Sequence, residues 1–214
     1  MSEGKVATIA ADIPRAKRSH LWQRAEGDHY VEAEWCSERL FDVEPFEGTI
    51  WDPACGFGRI PKAAKGRGLK TYASDLVDRG YDGLDELSDF FAREDGVAPN
   101  VISNPPFVMF KPFALKALSL RSTRKVALIW LVRRLNAAQW LEDTPLARVW
   151  LLRPRPSMPP AHVIARGDKP GNGSQDFAWL VWDKQHRGPP TIGWLHRDGA
   201  IDSGACSRVE SLDR

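Results

Sequence analysis

The sequence predicts an α/β fold built on a doubly wound, mostly parallel sheet with an antiparallel edge. Three observations carry that expectation. Short apolar strands alternate with helical segments through the first half of the chain, the pattern of parallel strands joined by crossovers. A glycine-bearing turn joins the first strand to a helix, and the second strand ends on an acid. The later strands are separated by less helix, which suits an antiparallel pair at one side of the sheet.

The elements follow in order. Residues 1–28 form a basic lead-in, with cations concentrated from Arg15 to Arg24. His29 to Phe41 has helical spacing, and Glu32 and Glu34 suit a helix N-terminus. Gly48 to Asp52 is a strand, followed by a turn and a helix from Ile60 to Gly66. Leu69 to Ser74 is a second strand ending at Asp75. Leu84 to Arg93 reads as helical. Asn100 to Ser103 is a strand running into Asn-Pro-Pro-Phe, and Phe110 to Leu120 is a helix. Lys125 to Val132 is a continuous apolar run, as expected of a buried strand. A short helix from Asn136 to Glu142 and a strand from Ala147 to Leu152 come next. Residues 153–175, rich in Pro, Gly and Arg, read as a long loop. Strands at Phe177 to Trp182 and Thr191 to Leu195 complete the domain, 29–195, and 196–214 form a tail.

Composition narrows the function classes. The 214 residues suffice for one domain, and 43% hydrophobic content suits a globular core. No apolar run reaches the length of a membrane span, and the N-terminus lacks the apolar segment of a signal peptide. Three widely spaced cysteines, Cys36, Cys55 and Cys206, suggest neither disulfides nor zinc, so a reducing cytoplasm is expected. Charge is unevenly placed. Residues 1–110 hold 13 Lys/Arg against 19 Asp/Glu, a balance of −6, while residues 111–214 hold 17 against 9, a balance of +8. A basic second half points to a polyanionic partner, most commonly nucleic acid.

Asp52-Pro53-Ala-Cys55-Gly56-Phe-Gly58 lies where the first strand turns into a helix. Glycine allows positive φ and close approach of a ligand to the backbone. A nicotinamide fingerprint, G-x-G-x-x-G, would need a third glycine where Pro61 stands. Asp52 would also repel a pyrophosphate, whereas a cationic ligand bearing an amino acid group tolerates it. Asp75, at the end of the second strand, can accept both ribose hydroxyls. Together these residues favour a nucleoside without phosphates.

Asn104-Pro105-Pro106-Phe107 follows the strand Asn100 to Ser103. Two prolines stiffen the backbone and remove two donors. The Asn104 amide oxygen and the Pro105 carbonyl are then acceptors, and Phe107 offers a flat apolar face. This set suits an aromatic or amide NH2, whose lone pair is delocalised. Two acceptors aimed at its hydrogens draw density to nitrogen, and no strong base is required.

Together, DPACGFG and SNPPF resemble the class I S-adenosylmethionine-dependent amino-methyltransferases, especially the N6-adenine DNA methyltransferases. The resemblance implies a Rossmann-like methyltransferase fold, S-adenosylmethionine as cofactor, and catalysis by Asn104, Pro105, Pro106 and Phe107. It implies cofactor binding by Asp52, Pro53, Cys55, Gly56, Gly58 and Asn104, with Asp75 on the ribose and Asp89 or Phe90 near the adenine. His29 and Tyr30 are placed near the methionine end, and the strand from Gln175 to Trp179 near a flipped-base pocket. The implied partner is nucleic acid, DNA first. His29-Tyr-Val-Glu-Ala-Glu departs from the family in lacking Thr-Pro before its helix, and no separate recognition domain is discernible.

Several alternatives stay open. RNA or a protein glutamine amide would use the same chemistry, and a catalytically silent nucleic-acid-binding module would keep the fold. Cys55 reads as a packing residue. Trp130, Trp150, Trp179 and Trp182 lie in expected strands and read as core. The run Arg153 to Pro160 is either a stiff structural bridge or, with Arg166 and Lys169, a set of phosphate contacts.

Overall fold

The computed structural model describes residues 30–167 and 173–199. The basic lead-in, His29, Lys169, Cys206 and all but the first residues of the tail lie outside them. The strands are β1 (Ile50–Asp52), β2 (Thr71–Asp75), β3 (Glu86–Leu87), β4 (Asn100–Ser103), β5 (Lys125–Leu131), β6 (Leu146–Arg153), β7 (Phe177–Asp183) and β8 (Thr191–His196). The helices are α1 (Glu34–Val43), α2 (Arg59–Lys65), α3 (Phe110–Ser119) and α4 (Ala161–Ala165).

The eight strands form one sheet in the order β3-β2-β1-β4-β5-β7-β6-β8. β3, β2, β1, β4 and β5 are mutually parallel. β7 enters antiparallel to both β5 and β6, and β8 pairs parallel with β6. The expected antiparallel pairing is therefore present on that side of the sheet, carried by β7. Strand order reverses between β1 and β4, so the loops leaving these two strands diverge at the carboxyl edge and open a crevice, where ligands bind in such sheets.

Period-2 alternation explains why the central strands read as unbroken apolar runs. All seven residues of β5 are buried. Val126, Leu128 and Trp130 pack on the face covered by α3, with Phe110, Phe113 and Ala117. Ala127, Ile129 and Leu131 pack on the other, against Cys36 and Leu40 of α1 and Ile60 and Ala64 of α2. β7 divides in the same way, Trp182 to one face and Trp179 to the other. The indole N–H of Trp179 reaches the Cys36 carbonyl (2.9 Å) and that of Trp182 the Thr144 hydroxyl (2.9 Å), so both rings are buried with their polar atom satisfied. Trp150 is only half-buried and donates to Glu44 (2.7 Å).

Two expected helices are absent. Residues 84–93 form β3 and a single 3-10 turn, Phe90–Ala92. Asp85 is drawn to β2, accepting from the Ala73 amide (2.8 Å), and Asp89 caps the turn through the Phe91 amide (2.8 Å). Residues 136–142 fall in two 3-10 segments, Val132–Ala137 and Gln139–Leu141. α1 begins at Glu34, leaving Glu32 outside the helix, before its N-terminus. The long loop after β6 contains α4 and is tied down at its start: Pro160 bridges Tyr30, and the Val31 amide donates to the Pro159 carbonyl (3.0 Å). Among the described residues, no helix is long and apolar enough to cross a membrane.

Candidate active site

Two loops meet at the reversal between β1 and β4. Asp52, the last residue of β1, is almost fully buried and accepts two hydrogen bonds on one oxygen, from Ser103 Oγ (2.7 Å) and the Ala54 amide (3.2 Å). Ser103 is the last residue of β4. This contact fixes the start of the glycine turn beside the start of Asn104-Pro105-Pro106-Phe107.

The turn has little freedom. Pro53 is buried, and the Cys55 carbonyl accepts from the Gly58 amide (2.7 Å). Gly56 and Gly58 have φ of 54° and 75°. A Cβ on Gly58 would stand 2.4 Å from the Tyr81 ring, so glycine there is required by conformation and by space. Tyr81 is buried against Cys55 and Ala73. Burial pushes the Cys55 thiol far upward, and Asp52 and Asp75 reinforce the shift. A thiol held in its protonated form suits packing beside the turn.

Asp75 ends β2 and faces the turn. One oxygen accepts from the Gly56 amide (2.8 Å) and the other from the Val77 amide (3.0 Å). Each keeps a lone pair, and two backbone bonds hold the carboxylate in one orientation.

Asn104 is oriented by a segment distant in sequence. Its Nδ2 donates to the Tyr30 carbonyl (2.8 Å) and to Glu32 Oε2 (2.8 Å). The Tyr30 carbonyl can only accept, so the amide stands one way, with Nδ2 toward it and Oδ1 turned away. Oδ1 accepts no hydrogen bond from a described residue. The Pro106 carbonyl accepts from the Met109 amide (2.9 Å), whereas the Pro105 carbonyl has no such donor among the described residues. Phe107 is half-buried, stacked on Tyr30 with ring centroids 5.7 Å apart and tilted against Phe177 at 5.6 Å.

A cleft between these loops is lined by Tyr30, Glu32, Asp52, Gly56, Arg59 and Asn104, among others. Its electrostatics are dominated by buried acids. Burial raises the Glu32 carboxyl, opposed by the Asn104 hydrogen bond and the Arg59 charge. Burial raises Asp52 well above the ordinary carboxylate range; Ser103 opposes this, while Glu32 and Asp75 add to it. The Arg59 guanidinium donates to the Glu32 carbonyl, which places one cation at the mouth of an acidic cleft.

Of the expected residues, Tyr30, Asp52, Cys55, Gly56 and Asn104 line this cleft; Pro53 and Gly58 belong to its turn, Asp75 bonds the Gly56 amide, and Pro105 to Phe107 lead on from Asn104. His29 lies outside the described residues. Asp89 is exposed at its turn, and Phe90 is buried in the core, its ring 4.3 Å from Phe113 and 5.3 Å from Trp51. Glu32, Ser103, Arg59 and Tyr81 escaped the sequence reading. Only Glu32 left a trace there, as an acid in the stretch that lacks Thr-Pro.

No family model matches the sequence, and no curated protein matches it. Solved structures do. A proposed RNA methyltransferase from Pyrococcus horikoshii superposes with a TM-score of 0.51 at 19% identity, covering 71% of this chain and 81% of its own. A predicted O-methyltransferase from Agrobacterium tumefaciens gives 0.51 at 14%, covering 76% and 85%. The modification subunit of a proposed type I restriction enzyme from Vibrio vulnificus gives 0.50 at 13%, covering 78% of this chain but 47% of the subunit. At these identities the likeness establishes the fold: the Rossmann-like fold that these methyltransferases share.

Two outcomes follow for stability. Gly58→Ala should destabilise by about 2–4 kcal/mol, combining left-handed strain with the Tyr81 overlap. Gly68→Ala should cost only about 1–2 kcal/mol, since Gly68 has φ 75° but no atom within 4 Å of its added Cβ. Equal denaturant midpoints for the two variants would show that Tyr81 yields freely. The second outcome concerns pH. Below the ordinary carboxylate range Asp52 is protonated both folded and unfolded, and its burial carries no ionic penalty. As pH rises through that range the unfolded chain ionises first, and the folded state loses stability until the raised folded value is passed. Asp52→Asn, which keeps an acceptor for Ser103, should be more stable than wild type near pH 7 to 8. The gap in melting temperature should close on acidification to roughly pH 4; a constant gap would remove the electrostatic explanation.

Proposed function

We propose that this protein is an S-adenosylmethionine-dependent methyltransferase acting on a planar amine, adenine N6 in nucleic acid, with DNA as the first substrate. The observation that carries the reading is the Asn104 amide, held by Tyr30 and Glu32 so that Oδ1 is left as an acceptor. Beside it the Pro105 carbonyl is a second acceptor. The two can take the two hydrogens of an NH2 group.

The cleft suits the cofactor by its donor set. Glu32 and Asp52 favour a cation, and Arg59 favours a carboxylate, so an amino acid zwitterion finds both partners. Asp75, fixed by the Gly56 and Val77 amides, suits vicinal ribose hydroxyls. A dinucleotide pyrophosphate meets three acids and Pro61 instead of a third glycine. Bound there, S-adenosylmethionine would supply a methyl group already made electrophilic by its sulfonium charge.

The protein's own contribution is position and electrostatics. Asn104 Oδ1 and the Pro105 carbonyl orient the amine and stabilise the positive charge that develops on nitrogen. Phe107, braced by Tyr30 and Phe177, borders the acceptor's place with an aromatic surface. No side chain need remove a proton before attack. The basic second half of the chain and the resemblance of SNPPF to N6-adenine enzymes favour nucleic acid over a protein amide.

Incubation with labelled S-adenosylmethionine and separate pools of DNA, RNA and protein tests the acceptor; label confined to protein would overturn it. Asn104→Ala should fold and bind cofactor, yet slow single-turnover methylation by about 100- to 1,000-fold. Equal single-turnover rates would remove Asn104 from the chemistry. Binding of the cationic cofactor should also draw Glu32 and Asp52 toward their charged forms. Affinity should then rise with pH, and protons should be released. Calorimetry in two buffers of different ionisation enthalpy measures the release; identical apparent heats would show that the acids do not face the ligand.

A further inference from the structure

A second concavity opens on the same carboxyl edge, beyond β5. Its volume is about 600 Å³, within the range of about 300–1,000 Å³ that holds small organic ligands. Val132, Leu151, Phe177 and Trp194 form apolar walls, and Arg153 and Arg155 stand at the rim. Phe177 joins this cavity to the candidate active site, because the same ring packs against Phe107 at 5.6 Å. Tyr30, Phe107 and Phe177 thus pack in series, and Phe177 and Trp194 both line the cavity.

Trp194 is the unusual member. It lies on the outer strand β8, in register with Leu151 of β6, and is 50% exposed. The other strand tryptophans, by contrast, are buried or half-buried with the sheet's core. A large indole left in water at the wall of a cavity has a flat face available for another ring.

The surrounding charge is cationic. Arg133 and Arg134 follow directly on Val132, and with Arg153 they are exposed and make no ion pair among the described residues. Arg155 pairs with Asp176 across the rim (2.7 and 3.0 Å), so the carboxylate there is already neutralised. An exposed aromatic face in a cavity with the unpaired Arg153 at its rim, and Arg133 and Arg134 next in sequence to the wall residue Val132, suits stacking a base and holding its phosphates.

We propose that this cavity is a second base site, in which Trp194 stacks the nucleotide next to the methylated one while Arg153 and the Arg133-Arg134 pair hold its phosphates. It rests on the reading that the acceptor is nucleic acid. Two neighbouring bases cannot occupy two aromatic-walled sites while stacked within a duplex. The acceptor is therefore bound as an unpaired strand, and single-stranded nucleic acid is the preferred form.

Fluorescence anisotropy with labelled single-stranded and duplex oligodeoxynucleotides tests this, using wild type, Trp194→Ala, Trp194→Phe and Arg153→Gln. Cofactor binding by calorimetry in the same samples verifies folding. Wild type should bind the single strand more tightly than the duplex. Trp194→Ala should weaken single-strand binding by roughly 5- to 100-fold, the loss of one stacked base, while Trp194→Phe should retain most of it. Arg153→Gln should lower the log-log salt slope by about 0.7, one single-strand phosphate contact. Adenine methylation with Trp194→Ala affinity unchanged, or with duplex preferred, would overturn the second base site and leave the proposed function standing. Binding and methylation of a protein amide alone, with no oligonucleotide bound by wild type, would overturn both.

Discussion

The hydrogen bond from Ser103 to Asp52 is the joint on which the site depends. It ties the last residues of β1 and β4 at 2.7 Å, where the sheet's strand order reverses. The glycine turn leaves one strand and Asn-Pro-Pro-Phe leaves the other. Each loop is stiff, one from its prolines and the other from its packing beneath Tyr81. Stiff loops do not by themselves share a geometry; a buried contact at their roots supplies it. Asn100, at the opposite end of β4, reinforces the alignment by donating to the Glu47 and Thr49 carbonyls ahead of β1 (2.8 and 3.1 Å).

That joint uses a carboxylate where an amide or a hydroxyl would hydrogen-bond as well. Asp52, Glu32 and Asp75 converge on one crevice; burial raises both Asp52 and Glu32, and the charges of Glu32 and Asp75 raise Asp52 further. A buried acid cluster opposes folding unless something cationic relieves it. Arg59 beside Glu32 and Arg79, 3.8 Å from Asp75, relieve it only in part. The remaining imbalance is intelligible if the crevice is built for a positively charged ligand, whose binding neutralises what the fold alone leaves strained.

The residues that were legible in the sequence are the ones whose reason for being is local. Gly56, Gly58 and the paired prolines declare a backbone conformation by themselves, and the apolar run of β5 declares a strand covered on both faces. Asp75 could be placed because it ends a strand. Glu32 could not, because its partner Asn104 is 72 residues away and its helix begins later than the acidic pair suggests. The misread stretch from Leu84 to Arg93 has the same cause: Asp85 and Asp89 satisfy backbone amides in β2 and at a turn, and these bonds outweigh a helical spacing. Asx-type capping of this kind competes directly with helix formation.

The loop after β6 shows how one segment serves scaffold and surface together. Pro156, Met158, Pro159 and Pro160 are buried, and Pro159 and Pro160 pin the backbone of Val31 and Tyr30. The pinned backbone then presents the Tyr30 carbonyl and Glu32 to Asn104. These contacts support the bridge reading of the run Arg153 to Pro160. Its arginines point the other way: Arg153 and Arg155 stay exposed at the rim of the cavity beside Phe177. One loop thereby orients the Asn104 amide through Tyr30 and Glu32 and also lines the cavity beside Phe177.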